Sequence, residues 1–381
     1  MTEREALIVM NMVPGLGAIT AKRMAGRFGS LAAVFEASEA ELAEVQGMSI
    51  DKAGQFLAAL RQVRADQEID KAERSHVKLI TWADKGYPEL LKRISDPPLA
   101  LYVAGSVEAL DMPAVAIIGT RRPTVYGREA ARRFGYQLAC AGYMVVSGLA
   151  LGIDAEAHAG ALQAKGRTVA VLGGALDRLF PRENQSLARE MARKGGAVVS
   201  EYPFGRQPDR QTFPMRNRIV SGLCKGVLVV EASLTSGTMI TVGQALDQNR
   251  SVMAIPGRID SPASQGCHKL LREGARLVTT ADDVAEELQD LLSGMRLRFA
   301  GSQDYANGGA KADTPPRAVL TSDEQAVMKL VEMQGTPVDE VIRGCGLDAG
   351  KVNAILVGLQ IKRLVRLLSG GIVTRRNDQG L

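Results

Sequence analysis

Residues 115–154 read VAIIGTRRPTVYGREAARRFGYQLACAGYMVVSGLALGID. A continuous apolar run from Val115 to Ile118 breaks at Gly119. A helix-length segment follows, and then a second apolar run, Tyr143 to Val146, breaks at Ser147-Gly148. The same alternation recurs at Thr168 to Leu172, Ala197 to Val199, Val227 to Val230, Val252 to Ile255 and Leu277 to Thr279. Strands that are apolar on both faces and separated by helical stretches predict a parallel sheet covered by helices, an α/β, doubly wound, Rossmann-like fold. Ligands of such sheets bind beyond the carboxyl ends of the strands.

Outside this segment the pattern changes on both sides. From Ala6 to about Leu60 apolar residues fall at helical spacing, which predicts a helical domain over 1–75 ahead of a Rossmann-like domain over 76–292. Val13-Pro14-Gly15-Leu16-Gly17 followed by Ala21 has a fainter copy, Val45-Gln46-Gly47-Met48-Ser49 followed by Ala53. The first copy fits a helix-hairpin-helix turn, with Lys22 and Arg23 near a helix N-terminus, or a plain αα-hairpin; Ser49 in place of the second glycine keeps both open. Residues 293–320, with Gly301, Gly308, Gly309, Pro315 and Pro316, are too polar and broken to pack and read as a flexible linker. Beyond it, helix signals at Ser322 to Met333, Pro337 to Cys345 and Asp348 to Ile361 precede Leu364 to Leu368, a Ser369-Gly370-Gly371 turn and Ile372 to Thr374. This order predicts a winged-helix domain over 321–376. Its basic residues, among them Lys351, Lys362, Arg363 and Arg366, suit DNA and protein contacts equally.

The 381-residue chain is 46% hydrophobic and 23% charged, which excludes a collagen-like or wholly disordered protein. No run approaches the roughly 18 apolar residues that cross a bilayer, and the start Thr2-Glu3-Arg4-Glu5 is no secretory signal. A cytoplasmic protein without membrane insertion is expected. Cys140, Cys224, Cys267 and Cys345 show no pairing of disulfide or zinc type. A net charge of +5 permits a polyanionic partner without establishing one. The chain has no P-loop, no G-x-G-x-x-G after a strand and no G-x-S-x-G elbow. Asp154 and His158 share a helix face, but a helix N-terminal aspartate beside a satisfied histidine accounts for them. No metal and no cofactor is assigned.

Binding chemistry concentrates in two places. Glycine-rich turns, each expected to precede a helix, follow the strands: Gly119-Thr120-Arg121-Arg122-Pro123, Ser147 to Asp154, Gly173-Gly174 and Ser236-Gly237-Thr238. Freed N–H groups at helix starts, with Arg121 and Arg122 beside them, suit phosphate oxygens. The stretch GRQPDRQTFPMRNRIVSGLCK, Gly205 to Lys225, sets Arg206, Arg210, Arg216, Arg218 and Lys225 against the single acid Asp209, with Phe204 just before it, Phe213 interleaved and Asn217 among the arginines. Cations that track phosphates and a ring that stacks on unpaired bases suit single-stranded nucleic acid. A solvated basic loop with Phe213 in the core is the alternative.

The blocks VAIIGTRRPTVYG, SGLALGIDAEAH, VLGGALDRLFPREN, FPMRNRIVSGL and VEASLTSGTMITVGQALDQNRSVMAIPG resemble, in order over roughly residues 80 to 285, those of the DprA (Smf) family of bacterial DNA-processing proteins of natural transformation. The resemblance implies a non-enzymatic protein that binds and protects incoming single-stranded DNA, forms a homodimer through its Rossmann-like domain and helps load the RecA recombinase. By position it makes Arg121 a phosphate-binding arginine, and Arg210, where many members carry lysine, and Phe213 contacts to the strand. Two departures are Thr120 where G-S-R is commoner and Leu151 where members often have arginine. The S-G-T helix start also resembles the G-G-x-G-T-x-x-E turn of nucleoside-monophosphate phosphoribohydrolases of the LOG, or lysine decarboxylase-like, type. Thr241 stands where that turn has its glutamate, which leaves the hydrolytic reading without its carboxylate. A transcription regulator that uses the winged helix on duplex DNA is a third reading.

Overall fold

The computed structural model describes residues 1–290, 322–332, 335–349, 351, 352, 355, 356, 359, 365–368 and 372–375. The expected linker and the Ser369-Gly370-Gly371 turn lie outside the described residues, as do parts of the helix expected from Asp348 to Ile361. Two compact units result, Met1–Asp304 and Tyr305–Leu381.

The first helices form where the sequence supplies caps. Thr2 opens α1 (Glu3–Met12) with a capping box: Glu5 N–H donates to the Thr2 hydroxyl at 3.2 Å, and the Glu5 carboxylate accepts from Thr2 N–H at 2.7 Å. After α2 (Ala18–Phe28), Ser38 and Glu41 repeat the box at α3 (Glu39–Ala43). Ser49 caps α4 (Ile50–Gln62), and α5 (Ala65–Arg74) completes the set. Gly15 at φ +79° turns α1 into α2, and Gly47 at φ +90° turns α3 into α4, so the weak repeat becomes two matched hairpins. These helices share a core with the sheet. Ile8 and Ala72 are buried with Leu79 and Tyr102, and Asn11 donates to the Glu201 carbonyl at 2.9 Å.

Two strands missing from the sequence reading come next, β1 (Val77–Thr81) and β2 (Ala100–Gly105), with the short α6 (Glu89–Lys92) between them. The β/α alternation then runs β3 (Ala114–Ile118), α7 (Val125–Cys140), β4 (Met144–Ser147), α8 (Ile153–Gln163), β5 (Thr168–Val171), α9 (Gln185–Arg193) and β6 (Ala197–Ser200). It continues with α10 (Thr212–Gly222), β7 (Gly226–Val229), α11 (Thr238–Asp247), β8 (Ser251–Ala254), α12 (Gln265–Arg272), β9 (Arg276–Leu277) and α13 (Ala281–Asp290). The sheet order is β1-β2-β6-β5-β4-β3-β7-β8-β9. The expected parallel sheet is present, with two antiparallel strands added at one edge. Strands β3 to β9 are parallel, whereas β2 pairs antiparallel with both β6 and β1. Four-residue α6 is too short for a crossover, and strands joined without one pair antiparallel.

Side chains alternate across the sheet. Ala114, Ala116 and Ile118 face the layer of α10, α11 and α12, while Val115 and Ile117 face that of α7, α8 and α13. In the second layer a Cβ on Gly135 would lie 2.3 Å from the Ala157 carbonyl oxygen, and one on Gly160 2.1 Å from that of Arg132. Glycine at both places lets α7 and α8 touch backbone to backbone. From β3 the chain steps one way to β4, β5 and β6, then returns to lay β7 on the other side of β3. That reversal opens a crevice at the carboxyl ends of β3 and β7, where open α/β sheets take ligands.

The second unit contains α14 (Ser322–Leu330), β10 (Thr336–Pro337), α15 (Val338–Cys345), β11 (Val365–Leu368) and β12 (Ile372–Arg375), with sheet order β10-β12-β11. Helix α14 stops at Leu330, short of the expected Met333. Val327, Val341, Val352, Leu356 and Val373 form its core.

Buried His158 sits beneath β4 and β5. Its Nδ1 lies 2.7 Å from the Thr168 hydroxyl, which itself donates to the Val145 carbonyl, so Nδ1 carries the proton and Thr168 accepts. Burial pushes the imidazole pKa from 6.5 down to about 3. The unfolded chain therefore gains a proton below 6.5 that the folded chain refuses, and stability falls as the pH drops from 6.5 toward 3. Thermal melts across that range should show a fall that His158→Asn flattens.

Candidate nucleic-acid interface

Asp209 starts α10. Its carboxylate accepts from Gln211 and Thr212 N–H at 2.8 and 2.9 Å, and these bonds hold its pKa below the usual carboxylate range. Phe213, Arg216 and Asn217 in the first turns of the helix, with Arg210 before it, face the crevice at the switch point. Gly119, Thr120, Arg121 and Arg122 from the turn after β3 form a second wall, and Ser236, Gly237 and Thr238 from the turn after β7 a third. Together they enclose a cleft of about 530 Å³. Arg218 does not join them. Its guanidinium turns toward Glu201, at 2.9 and 2.6 Å, and Asp96, at 3.1 Å, and tethers α10 to β6. These acids hold its pKa above the ordinary arginine value despite burial.

Arg216 is 4% exposed and donates to the carbonyl oxygens of Gly148 and Val171. A Cβ on Gly148 would stand 2.6 Å from that guanidinium, so a side chain is excluded there. Burial lowers the Arg216 pKa to about 10, with nearby Asp154 opposing the shift. Burial likewise raises the Asp154 pKa, and Arg216 opposes it. Asp154 accepts from Gly148 and Ala150 N–H at 3.0 and 3.2 Å, so the pair supports the β4 turn from both sides. Two polar groups of the cleft residues, Arg216 Nε and Ser236 Oγ, are buried without a hydrogen-bond partner.

The basic loop holds fewer available cations than its composition suggests. Arg206 is paired to Asp209 at 2.6 Å, Arg216 and Arg218 are committed internally, and Lys225 is partly buried at the amino end of β7. Arg210 remains exposed without an ion-pair partner among the described residues, as do Arg121 and Arg122 across the cleft. Phe213 lies between them, partly buried. A Cβ on Gly173 would come within 2.7 Å of its ring, the Arg121 guanidinium carbon lies 5.4 Å from its centroid, and the Phe180 centroid lies 6.0 Å away.

Gly173-Gly174 departs from expectation. No α-helix follows directly; the chain passes through 3₁₀ turns at Leu176–Arg178 and Arg182–Asn184 before α9. Gly173 instead supports Phe213, and Gly174 closes on Pro208. Two residues escaped the sequence reading. Glu231, 2% exposed, accepts from the Thr124 N–H at 2.9 Å and hydroxyl at 2.5 Å, and so fixes the start of α7 against the end of β7. Its signal was an acid that ends the apolar run Val227 to Val230. The other is Phe180, whose signal was an arginine two residues away on each side.

The sequence matches the family described as DNA recombination-mediator protein A over residues 78–289, a DprA winged helix domain over 311–371 and a SAM-like helix-hairpin-helix tandem over 7–62. The last match decides the N-terminal hairpins in favour of the helix-hairpin-helix fold. The chain is 32% identical to the protein Smf of Synechocystis over 98% of its own length and 99% of that protein's. Its structure is similar to that of DNA processing protein A from Streptococcus pneumoniae, with 33% identity and a TM-score of 0.65 over 75% of this chain and 98% of that one. It is also similar to DNA processing protein A from Helicobacter pylori, a structure that addresses that protein's single-stranded DNA binding mode. There identity is 32% and the TM-score 0.51, over 58% of this chain and 99% of that one.

Glu201 and Arg218 are 12% and 13% exposed as side chains. Glu201→Ala should therefore cost about 3 kcal/mol, because it leaves a buried guanidinium short of charge. Urea unfolding at neutral pH measures this.

Proposed function

The chain belongs to the DNA recombination-mediator protein A family, and from that membership we propose that it binds single-stranded DNA in the cleft at the switch point. The carrying observation is the placement of Arg121, Arg122 and Arg210, exposed and unpaired, around Phe213. Mobile phosphates meet free cations there, and an unpaired base reaches the ring once Arg121 leaves it for a phosphate. The unpartnered Arg216 Nε and Ser236 Oγ–H are donors that suit a phosphate or base oxygen. The related Helicobacter pylori protein supports the reading through its own single-stranded DNA binding mode.

We read the cleft as a binding site rather than a catalytic one. Asp154, its lining carboxylate, is committed to two backbone N–H groups, and Thr241 stands where a phosphoribohydrolase would carry glutamate. The proposal extends to the finer role that goes with the family: a cytoplasmic protein that protects incoming DNA during natural transformation and helps load RecA. It includes a homodimer formed through the β9 edge, where Leu277 is half exposed while Val278 is fully buried. A single protomer mass by light scattering at micromolar concentration would remove the dimer from the proposal.

Equilibrium titrations against single-stranded and duplex DNA of one sequence test the main claim; equal affinity would overturn it. Arg210→Ala should weaken binding to every sequence and flatten the salt slope by about 0.7. Phe213→Ala should cost about 1–3 kcal/mol of binding while the salt slope holds.

A further inference from the structure

Phe213 has little free surface in this structure. The Gly173 backbone supports one side, the Arg121 guanidinium stands over the ring, and Phe180 leans on it at 47°. Phe180 is different, at 51% exposed. A lone exposed phenyl is ordinary on a protein surface, but Phe180 is held in place by its neighbours. Leu179 packs into the core of Leu149, Leu172 and Ala188, and Pro181 is buried. Asn184 pins the segment by donating to the Leu149 and Ala150 carbonyl oxygens at 2.8 and 3.2 Å. The backbone is thus anchored on both sides of a ring that lies half exposed beside Phe213. Arg182 is exposed and has no ion-pair partner among the described residues.

We propose that Phe180 and Arg182 form a second nucleotide subsite, in which the Phe180 ring stacks on an unpaired base and Arg182 takes the adjoining phosphate. This deepens the DNA reading and rests on it. A base stacks about 3.4 Å from its neighbour, so a sandwich requires parallel rings roughly 7 Å apart. Phe180 and Phe213, 6.0 Å apart and tilted by 47°, hold no base between them. They serve two successive bases instead, and the strand turns at the cleft rim as it passes from Phe213 toward the segment before α9. Phe180 offers the open face in the free protein, whereas a base reaches Phe213 once Arg121 swings away to a phosphate.

The test compares wild type, Phe180→Leu, Phe180→Trp, Arg182→Ala and Arg210→Ala on a single-stranded oligonucleotide carrying 2-aminopurine, whose fluorescence falls on stacking. Phe180→Leu should keep its melting temperature, bind roughly 5- to 100-fold more weakly with an unchanged salt slope, and lose part of the quenching. Phe180→Trp should restore affinity and quenching, and Arg182→Ala should flatten the salt slope by about 0.7. Wild-type affinity and quenching in folded Phe180→Leu would overturn the inference. So would a melting temperature lowered by several degrees, since that would make the ring a packing residue. If Arg210→Ala weakens binding while Phe180→Leu does not, this inference falls and the DNA reading stands. If wild type binds no single strand, both fall.

Discussion

Arg216 places a buried cation between the carbonyl oxygens of Gly148 and Val171, at the ends of β4 and β5. Removing a guanidinium from water is costly, so this position holds only because those carbonyls and nearby Asp154 receive it. Even with its pKa lowered to about 10, the group stays charged at neutral pH. The consequence is mechanical. Helix α10 cannot shift relative to β4 and β5 without exposing an unpaired charge to an apolar interior, and Phe213 lies one turn earlier on that helix. Arg218, held by Glu201 and Asp96, ties the same part of the helix to the end of β6.

This anchoring explains how a chain with a net charge of only +5 gathers unpaired arginines around one crevice. Most cations of the Gly205 to Lys225 stretch are structural. They position the loop, and the loop then presents Arg210 opposite Arg121 and Arg122. A few unpaired arginines in a crevice count for more than many paired ones on open surface, because a paired cation has no counterion to exchange for a phosphate.

The helical region and the sheet are likewise interdependent. Strands β1 and β2 cover what would be the open edge of β6, and α1 and α5 bury Tyr102 on β2 with Ile8 and Ala72. The N-terminal helices thus help to close the sheet on the side from which α10 is tethered.

Local chemistry was legible from the sequence. Apolar runs at helix-length spacing gave the α/β class, and glycines after those runs located the carboxyl edge, because strand period and turn conformation depend on neighbouring residues. Two strands escaped because β1 and β2 belong to no βαβ unit. Which arginines were free was not legible, since Arg206, Arg210, Arg216 and Arg218 carry the same charge in the sequence. Only the fold brings Gly148 and Val171 to Arg216 and Glu201 and Asp96 to Arg218, and leaves Arg210 to solvent. Phe180 and Phe213 lie more than thirty positions apart in the chain, and their 6.0 Å approach exists because β5 ends and α10 begins at the same edge. Tertiary structure decided these points because an ion pair or ring contact depends on distance in space, which residue spacing does not encode.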